Sequence, residues 1–358
     1  MVGRLPLTRH AASRAARSRR KSSSFVTQPS IDIVAMGDAI VDVIASCDDA
    51  FLTRHRLPKG SMQLLTPGEA DILYAAMGVA REMSGGSAAN SMAGIAAMGG
   101  NAAFIGQIAE DQLGMIFEHD MHALGVRFDT PTLPRGSDGS GPPTGRCLIL
   151  VTADGQRTMN TAPGASHELD VASLDHALIA SAKILYLEGY LWGPDKPRAA
   201  MIKAVEIAHA AGREVAFTLS ESVCIAGRRE GFAKMIDSGG IDLLFANENE
   251  AMQLTASADL EGSLAELSAK VDTLVITKGA AGAVAIKGGE RVAIPAAPVK
   301  KVVDTTGAGD LFAAGFLAAR AKDAGLERCL WTGALAAGEV IQHYGARPIT
   351  DLKALVQL

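Results

Sequence analysis

From Ile31 onward the chain alternates short apolar runs with longer segments of mixed helical spacing. Ile31–Gly37 is apolar and ends in glycine, the pattern of a buried strand. Ser87–Met98, rich in Ala, Ser and Met, and Asp111–Leu124, which stops at Gly125, are expected as helices. Pro131–Pro143 is dense in Pro, Gly and Ser and is expected as loop. Cys147–Thr152 and Arg157–Asn160 flank Asp154–Gly155, a strong short-range hairpin signal. The rhythm then tightens. Strands are expected at Lys183–Leu187, Glu214–Leu219, Ile241–Ala246 and Asp272–Thr277. Between and after them lie helices at Lys196–Ala211, Gly227–Ile236, Glu248–Leu254 and Leu264–Lys270. A hairpin pairs Ala283–Lys287 with Arg291–Ile294 around Gly288–Gly289, and two helices, Gly309–Lys322 and Glu327–His343, end the pattern.

Apolar strands without in/out alternation, each followed by a helix, specify parallel βαβ units with both sheet faces covered. Segments near 40–66 and 130–160 break the rhythm and are expected to form a small β element, a candidate lid inserted into the α/β domain at 31–358. No 20–50-residue repeat is visible. No apolar run reaches the ~18–20 residues of a membrane span.

Charge divides the chain. Residues 1–30 carry Arg4, Arg9, Arg14, Arg17, Arg19, Arg20 and Lys21 and no acid, so removing these cations takes the net charge from −5 to −12 for the remainder. A body so acidic is a poor nucleic-acid binder, because phosphate contacts need clustered cations. The basic tail is expected as a disordered extension, with a transit peptide or an upstream start codon as alternatives. Cys47, Cys147, Cys224 and Cys329 are far apart, without zinc-type spacing, and fit the reduced cysteines of a cytoplasmic protein; an organelle is the alternative if the tail is a transit peptide.

Chemistry concentrates in Asp304-Thr305-Thr306-Gly307-Ala308-Gly309-Asp310. Small residues where a helix begins let backbone amides converge, and with the helix dipole they form an anion site. Asp310 would sit beside a transferred phosphoryl group and accept the proton of an attacking hydroxyl; a well-capped helix would explain the same residues. Gly85-Gly86-Ser87-Ala88-Ala89-Asn90 allows backbone to approach a ligand, with Asn90 one turn into the helix, or is a simple loop-to-helix joint. Asn247 and Glu250, spaced i, i+3 at a helix start, could hold waters around Mg²⁺ or form a capping box. Asp38 and Asp42 follow the first strand, where a carboxylate could clamp a vicinal diol or face outward from an edge strand. The P-loop, the G-x-G-x-x-G turn after the first strand, the nucleophile elbow and H-E-x-x-H are all absent. Isolated histidines such as His167, His209 and His343 have no metal spacing and are expected as surface or structural residues.

The order of these motifs resembles the PfkB, or ribokinase-like, family of carbohydrate and nucleoside kinases, over the span from Ile31 to about Pro348. Gly85–Asn90 is similar to its first signature, Asp304–Phe316 to its second, and Asn247-x-x-Glu250 to its metal-associated motif. Lys278-Gly279-Ala280-Ala281-Gly282 resembles the stretch bordering the ATP phosphates and ribose.

The resemblance implies a three-layer α/β domain with a mostly parallel central sheet and a small β-sheet lid, and MgATP as donor. It implies Asp310 as base, with Gly307, Ala308 and Gly309 as anion hole. Asn247, Lys278, Gly279, Gly282 and Thr306 would border ATP, and Glu250 with Asn247 the metal, through water. Asp38, Asp42, Gly85, Gly86 and Asn90 would hold the acceptor. Gly37–Asp42 is similar to the acceptor strand of adenosine kinases, and Arg157 matches an arginine that reaches the phosphates. The implied reaction is adenosine to AMP; a ribokinase- or fructokinase-like sugar kinase, or a non-turning-over sensor, are the alternatives. Phe51, Phe128 and Tyr190 are the aromatic candidates to stack on a base. A homodimer through the lid and a monovalent cation such as K⁺ near Asp304 and Ala337–Ala346 are further features the resemblance leaves open.

Overall fold

The structure is a computed structural model and describes residues 30–358; the basic tail at 1–29 lies outside the described residues. In chain order the strands are β1 (Ile31–Met36), β2 (Ile40–Ser46), β3 (Met62–Leu64), β4 (Ala80–Ser84), β5 (Ala102–Ile105), β6 (Gly145–Val151), β7 (Arg157–Ala162), β8 (Ala182–Glu188), β9 (Glu214–Thr218), β10 (Leu243–Asn247), β11 (Thr273–Thr277), β12 (Ala283–Lys287) and β13 (Glu290–Ile294). They form an eight-stranded sheet, ordered β13-β12-β11-β10-β9-β8-β1-β5, and a five-stranded sheet, ordered β3-β7-β6-β2-β4. In the larger sheet β12 and β13 pair antiparallel and the rest are parallel.

Alternate residues of the larger sheet bury on opposite faces, which gives three layers. Ile33, Ala35, Ile184, Tyr186, Phe245 and Val275 pack with the helices Ser87–Ala97, Ala308–Arg320 and Leu326–Val340. Val34, Met36, Leu185, Phe217, Leu244 and Ile276 pack with Asp195–Ala210, Arg229–Asp237, Glu248–Thr255 and Leu260–Ser268. Small residues bring helices of the first layer together: a Cβ on Gly315 would lie 2.5 Å from Thr332 O, and one on Gly333 2.7 Å from Phe312 O. Several glycines are thus spent on helix packing rather than on ligands. Among the described residues no helix is long and apolar enough to cross a membrane.

The chain crosses between the sheets at two places that matter for the site. β1 leaves the larger sheet and becomes β2 of the smaller one within Gly37–Ala39, and β4 returns through Gly85–Gly86 into the Ser87–Ala97 helix. The smaller sheet uses β4 as an edge, a strand the sequence pattern did not mark because Ala80–Ser84 is short and mixed in polarity. The helices Asp49–Arg54 and Pro67–Ala76, the latter opened by a Thr66–Glu69 capping box, were likewise not anticipated. The helix expected at Leu264–Lys270 begins earlier, at Leu260, because the Asp259 side chain accepts from Gly262 N at 2.8 Å and caps it.

Candidate active site

Asp310 lies in the first turn of the Ala308–Arg320 helix, which Gly307 opens in the left-handed region at φ 77°. Its Oδ1 accepts from Ser87 Oγ at 2.6 Å, and its Oδ2 from Asn90 Nδ2 at 2.9 Å. Ser91 Oγ donates to Asp310 O at 3.0 Å, so two helix starts are tied together at this carboxylate. Burial raises the Asp310 pKa; the two side-chain donors and the charge of Arg347 pull it part of the way back. Of the three residues expected as an anion hole, Ala308 turns its amide toward Thr305 O at 3.2 Å. Gly309 is exposed and a Cβ there would meet no protein atom within 4 Å, so its glycine is not required by protein packing. At Gly307, by contrast, a Cβ would lie 2.6 Å from Ala346 Cβ.

The start of the loop is held by charge. Asp304 Oδ1 accepts from Thr306 N (3.1 Å) and Thr306 Oγ1 (2.7 Å); Oδ2 accepts from Gly345 N (2.9 Å) and pairs with Arg157 Nη2 at 2.9 Å. Burial works to raise the Asp304 pKa, but these donors and the guanidinium outweigh it and hold the group below the usual carboxylate range. Arg157, expected to face phosphates, is therefore engaged by Asp304, with Nη1 also 3.4 Å from Thr306 Oγ1.

Across the cleft, Gly86 has φ 90° and its Cβ would lie 2.2 Å from Asp38 O, so this joint tolerates glycine alone. A Cβ on Gly85 would lie 2.5 Å from the Asp42 carboxyl carbon, which places Asp42 directly against this turn. Asp42 sits on β2 opposite Cys147 and Met83. Burial pushes its pKa up to about 6, against the lowering effects of Arg347 and Arg157, and Asp310 adds to the rise. Asp38 is buried at the sheet crossing with Oδ1 lacking a partner; burial raises its pKa, offset in part by His167 and Ser166. Asn90 also keeps a buried, unpartnered Oδ1. Unsatisfied buried acceptors cost ~1–3 kcal/mol each and here mark positions where a ligand's hydroxyl or amine would be welcome.

At the carboxyl ends of β10 and β11, Asn247 lies beside Thr277 in register. Asn247 and Glu250 form a reciprocal capping box: Asn247 N donates to Glu250 Oε2 (2.9 Å), Asn247 Nδ2 to Oε1 (2.6 Å), and Glu250 N to Asn247 Oδ1 (2.9 Å). Glu250 is buried, and burial raises its pKa. Both residues nevertheless line a cavity of about 520 Å³ with Thr218, Ser220, Glu221 and Gly309. Among the described residues no three ligating side chains gather to enclose a metal. Glu250 and Glu221 are carboxylates in this lining, the kind of oxygen a hard cation that keeps most of its waters, as Mg²⁺ does, would take. Lys278–Gly282 is the turn after β11, with Lys278 N donating to Gly282 O at 2.8 Å; Gly282 has φ 90° and a Cβ there would lie 2.0 Å from Ile294 O.

Three residues of the cleft escaped the sequence reading. Glu188, fully buried at the end of β8, accepts from Asp38 N and Ala88 N, both at 2.6 Å, and so joins the two sheet crossings. Burial and the nearby Asp38 charge raise its pKa well above the usual value. An acid ending an apolar strand just before Gly189 was the available signal. Ser87 stands in the glycine segment with no signal of its own, and Arg347 sits in a C-terminal loop with no motif. Two of the aromatic candidates do not face this cleft: Phe128 is buried between Phe104 and Phe117, and Phe51 packs on His55. Tyr190 packs against the second core layer but stays in contact with the cleft, where it hydrogen-bonds Glu221 and lies within the field of Asp310 and Glu188.

A three-layer α/β domain, a second small sheet, and an aspartate held at a glycine-rich helix start together define a small-molecule kinase. The chain belongs to the PfkB family: the profile of the pfkB family carbohydrate kinases matches residues 77–352. It is accordingly an ATP-dependent kinase of the sugar and nucleoside class. Its fold superimposes on adenosine kinase from Sinorhizobium meliloti with a TM-score of 0.84 at 44% identity, covering 91% of this chain and 98% of that one. A probable sugar kinase from Rhizobium etli is as similar, at TM-score 0.84 and 43% identity over 92% of this chain and 98% of the other. Adenosine kinase 2 of Arabidopsis thaliana is 26% identical over 87% of this chain and 94% of its own length.

Proposed function

We propose that the chain phosphorylates the primary hydroxyl of a ribose-containing acceptor, with adenosine to AMP as the reaction that fits best. The observation that carries the mechanism is the Asp310 carboxylate, held by Ser87 and Asn90 at a helix start with open space at Gly309. Each of its oxygens keeps a second lone pair for an incoming hydroxyl. Its raised pKa makes it a better proton acceptor than a free aspartate. First-turn amides around Gly307–Gly309 would face the charge that spreads over the transferred phosphoryl group. Asp42, Gly86 and Asn90 would seat the acceptor, Asp42 taking the vicinal hydroxyls. Asn247, Lys278, Gly279, Gly282 and Thr306 would border ATP, and Asn247 with Glu250 would hold the hydrated Mg²⁺, which neutralises phosphate charge when bound. The smaller sheet would act as a lid that excludes water and so protects ATP from hydrolysis.

Adenosine is favoured by similarity to the Sinorhizobium enzyme. A free sugar is the second reading, favoured by the packing of Phe51 and Phe128 away from the cleft and by the equally similar probable sugar kinase. The test is an ATP-coupled assay with adenosine, inosine, guanosine, ribose and fructose. Adenosine should show the highest kcat/KM. Turnover of ribose or fructose with adenosine inert would overturn the nucleoside assignment, and binding of an acceptor without turnover of any would make the protein a sensor.

A further inference from the structure

Arg347 lies in the loop after the Leu326–Val340 helix, far along the chain from the residues around it. Its Nη1 donates to Ala89 O at 2.9 Å, and its Nη2 to Ser84 O at 3.0 Å and Ser84 Oγ at 3.1 Å. Ser84 ends β4 and Ala89 lies in the first turn of the Ser87–Ala97 helix. One planar fork therefore grips the chain on both sides of Gly85–Gly86, the turn pressed against Asp42. Its buried Nε has no partner. Burial lowers the Arg347 pKa to about 10, which still leaves it charged at neutral pH, and that charge acts on both Asp42 and Asp310.

We propose that Arg347 is a positioning residue of the acceptor site, bracing the Gly85–Gly86 turn and supplying the positive charge that faces Asp42 and Asp310. The inference rests on the reading of those two residues as acceptor clamp and base. The groups that act on Asp42 are Arg347 from the C-terminal loop, Arg157 from β7, Asp310 from its helix and Cys147 from β6. Of the two cations, Arg157 is already paired with Asp304, so Arg347 is the cation left to balance the two acids. Asp310 is met by Ser87 and Asn90, by Arg347, by Tyr186 and Glu188 of β8, by Tyr190 and by Asp42. Among the described residues Arg347 is the cation that acts on it.

The test compares Arg347→Met and Arg347→Lys in the full chain, using the acceptor turned over fastest with MgATP. In Arg347→Met the acceptor KM should rise at least ~10-fold, with a smaller fall in kcat, and the acid limb of kcat/KM should move up by about one pH unit as a carboxylate loses its facing cation. Arg347→Lys should return the acid limb to its original position but leave KM raised, because an ammonium carries charge without the planar fork. A wild-type KM and acid limb in a folded Arg347→Met protein would overturn the inference. If that variant does not fold, a wild-type KM in Arg347→Lys would overturn it instead. Asp310→Asn run alongside separates the two levels: an active Asp310→Asn enzyme sinks the mechanism, whereas a dead one beside unchanged Arg347 variants sinks only the role of Arg347.

Discussion

The two sides of the cleft are built on different terms. On the side of β10 and β11, the polar side chains satisfy one another: Asn247 and Glu250 close a capping box, and Lys278–Gly282 folds on its own backbone. On the side of the sheet crossings, Asp38 and Asn90 keep buried acceptors without partners, and burial raises the pKa values of four acids, Asp38, Asp42, Glu188 and Asp310, as it does those of Glu221 and Glu250 on the first side. The first side is stable as it stands and offers mostly backbone. The second holds four acids, of which Asp42 and Asp310 face the charge of Arg347, and gains from a ligand that donates hydrogen bonds. Such an uneven distribution of strain is expected where a neutral, hydroxyl-bearing acceptor meets a donor whose charge is met by metal and amides.

Short of removing Asp310 itself, the largest effects should come from glycines, and two of them separate structure from function. Gly86→Ala drives a Cβ to 2.2 Å from Asp38 O at a positive φ, so the variant should lose more than ~2 kcal/mol of stability along with its activity. Gly309→Ala meets no protein atom, so thermal unfolding should be unchanged while turnover falls ~100-fold, the scale of a disturbed oxyanion contact. A lower melting temperature in Gly309→Ala would place the constraint in the protein rather than in the ligand.

A smaller effect concerns pH. In the proposed role Asp42 would have to be ionised to accept from a diol, and its pKa is raised to about 6. The acceptor kcat/KM should therefore hold at neutral pH and fall towards tenfold per unit below pH 6. Because the folded pKa exceeds the unfolded one, this group adds stability at low pH and that contribution is lost as pH rises from the unfolded value, about 4, through 6. Asp42→Asn should remove that inflection; its persistence would assign it to another acid. The mildest change should be Glu250→Gln, which keeps an acceptor for one amide and sits on the satisfied side. The expected result is a several-fold higher Mg²⁺ requirement with about 1 kcal/mol or less of stability lost, read by titrating Mg²⁺ and by thermal unfolding; an unchanged Mg²⁺ requirement would reduce Glu250 to a helix cap.

The same division explains what was legible in the sequence. The alternation of apolar strands and helices exposed the three-layer body, because parallel strands buried on both faces leave an unbroken hydrophobic signal. The motif candidates are contiguous stretches at element ends, so spacing alone brings Asn247 to Glu250 and Gly307 to Asp310. The acceptor side is assembled from β2, β4, β8, two helix starts and the C-terminal loop. Glu188 and Arg347 touch the cleft through contacts about 100 and 260 residues apart in the chain, for which no local pattern exists. β4 was missed for a related reason: an edge strand of five mixed residues gains its identity from pairing with β2, not from its own composition.

The central claim is that Asp310 removes the proton from the acceptor hydroxyl. Its most direct test is single-turnover phosphoryl transfer by Asp310→Asn, with acceptor affinity measured separately by calorimetry. Asparagine preserves the shape and one hydrogen-bond acceptor but cannot take the proton, so the transfer rate should fall at least ~10³-fold while the acceptor Kd stays within a few-fold of wild type. Transfer at the wild-type rate in that variant would contradict the account.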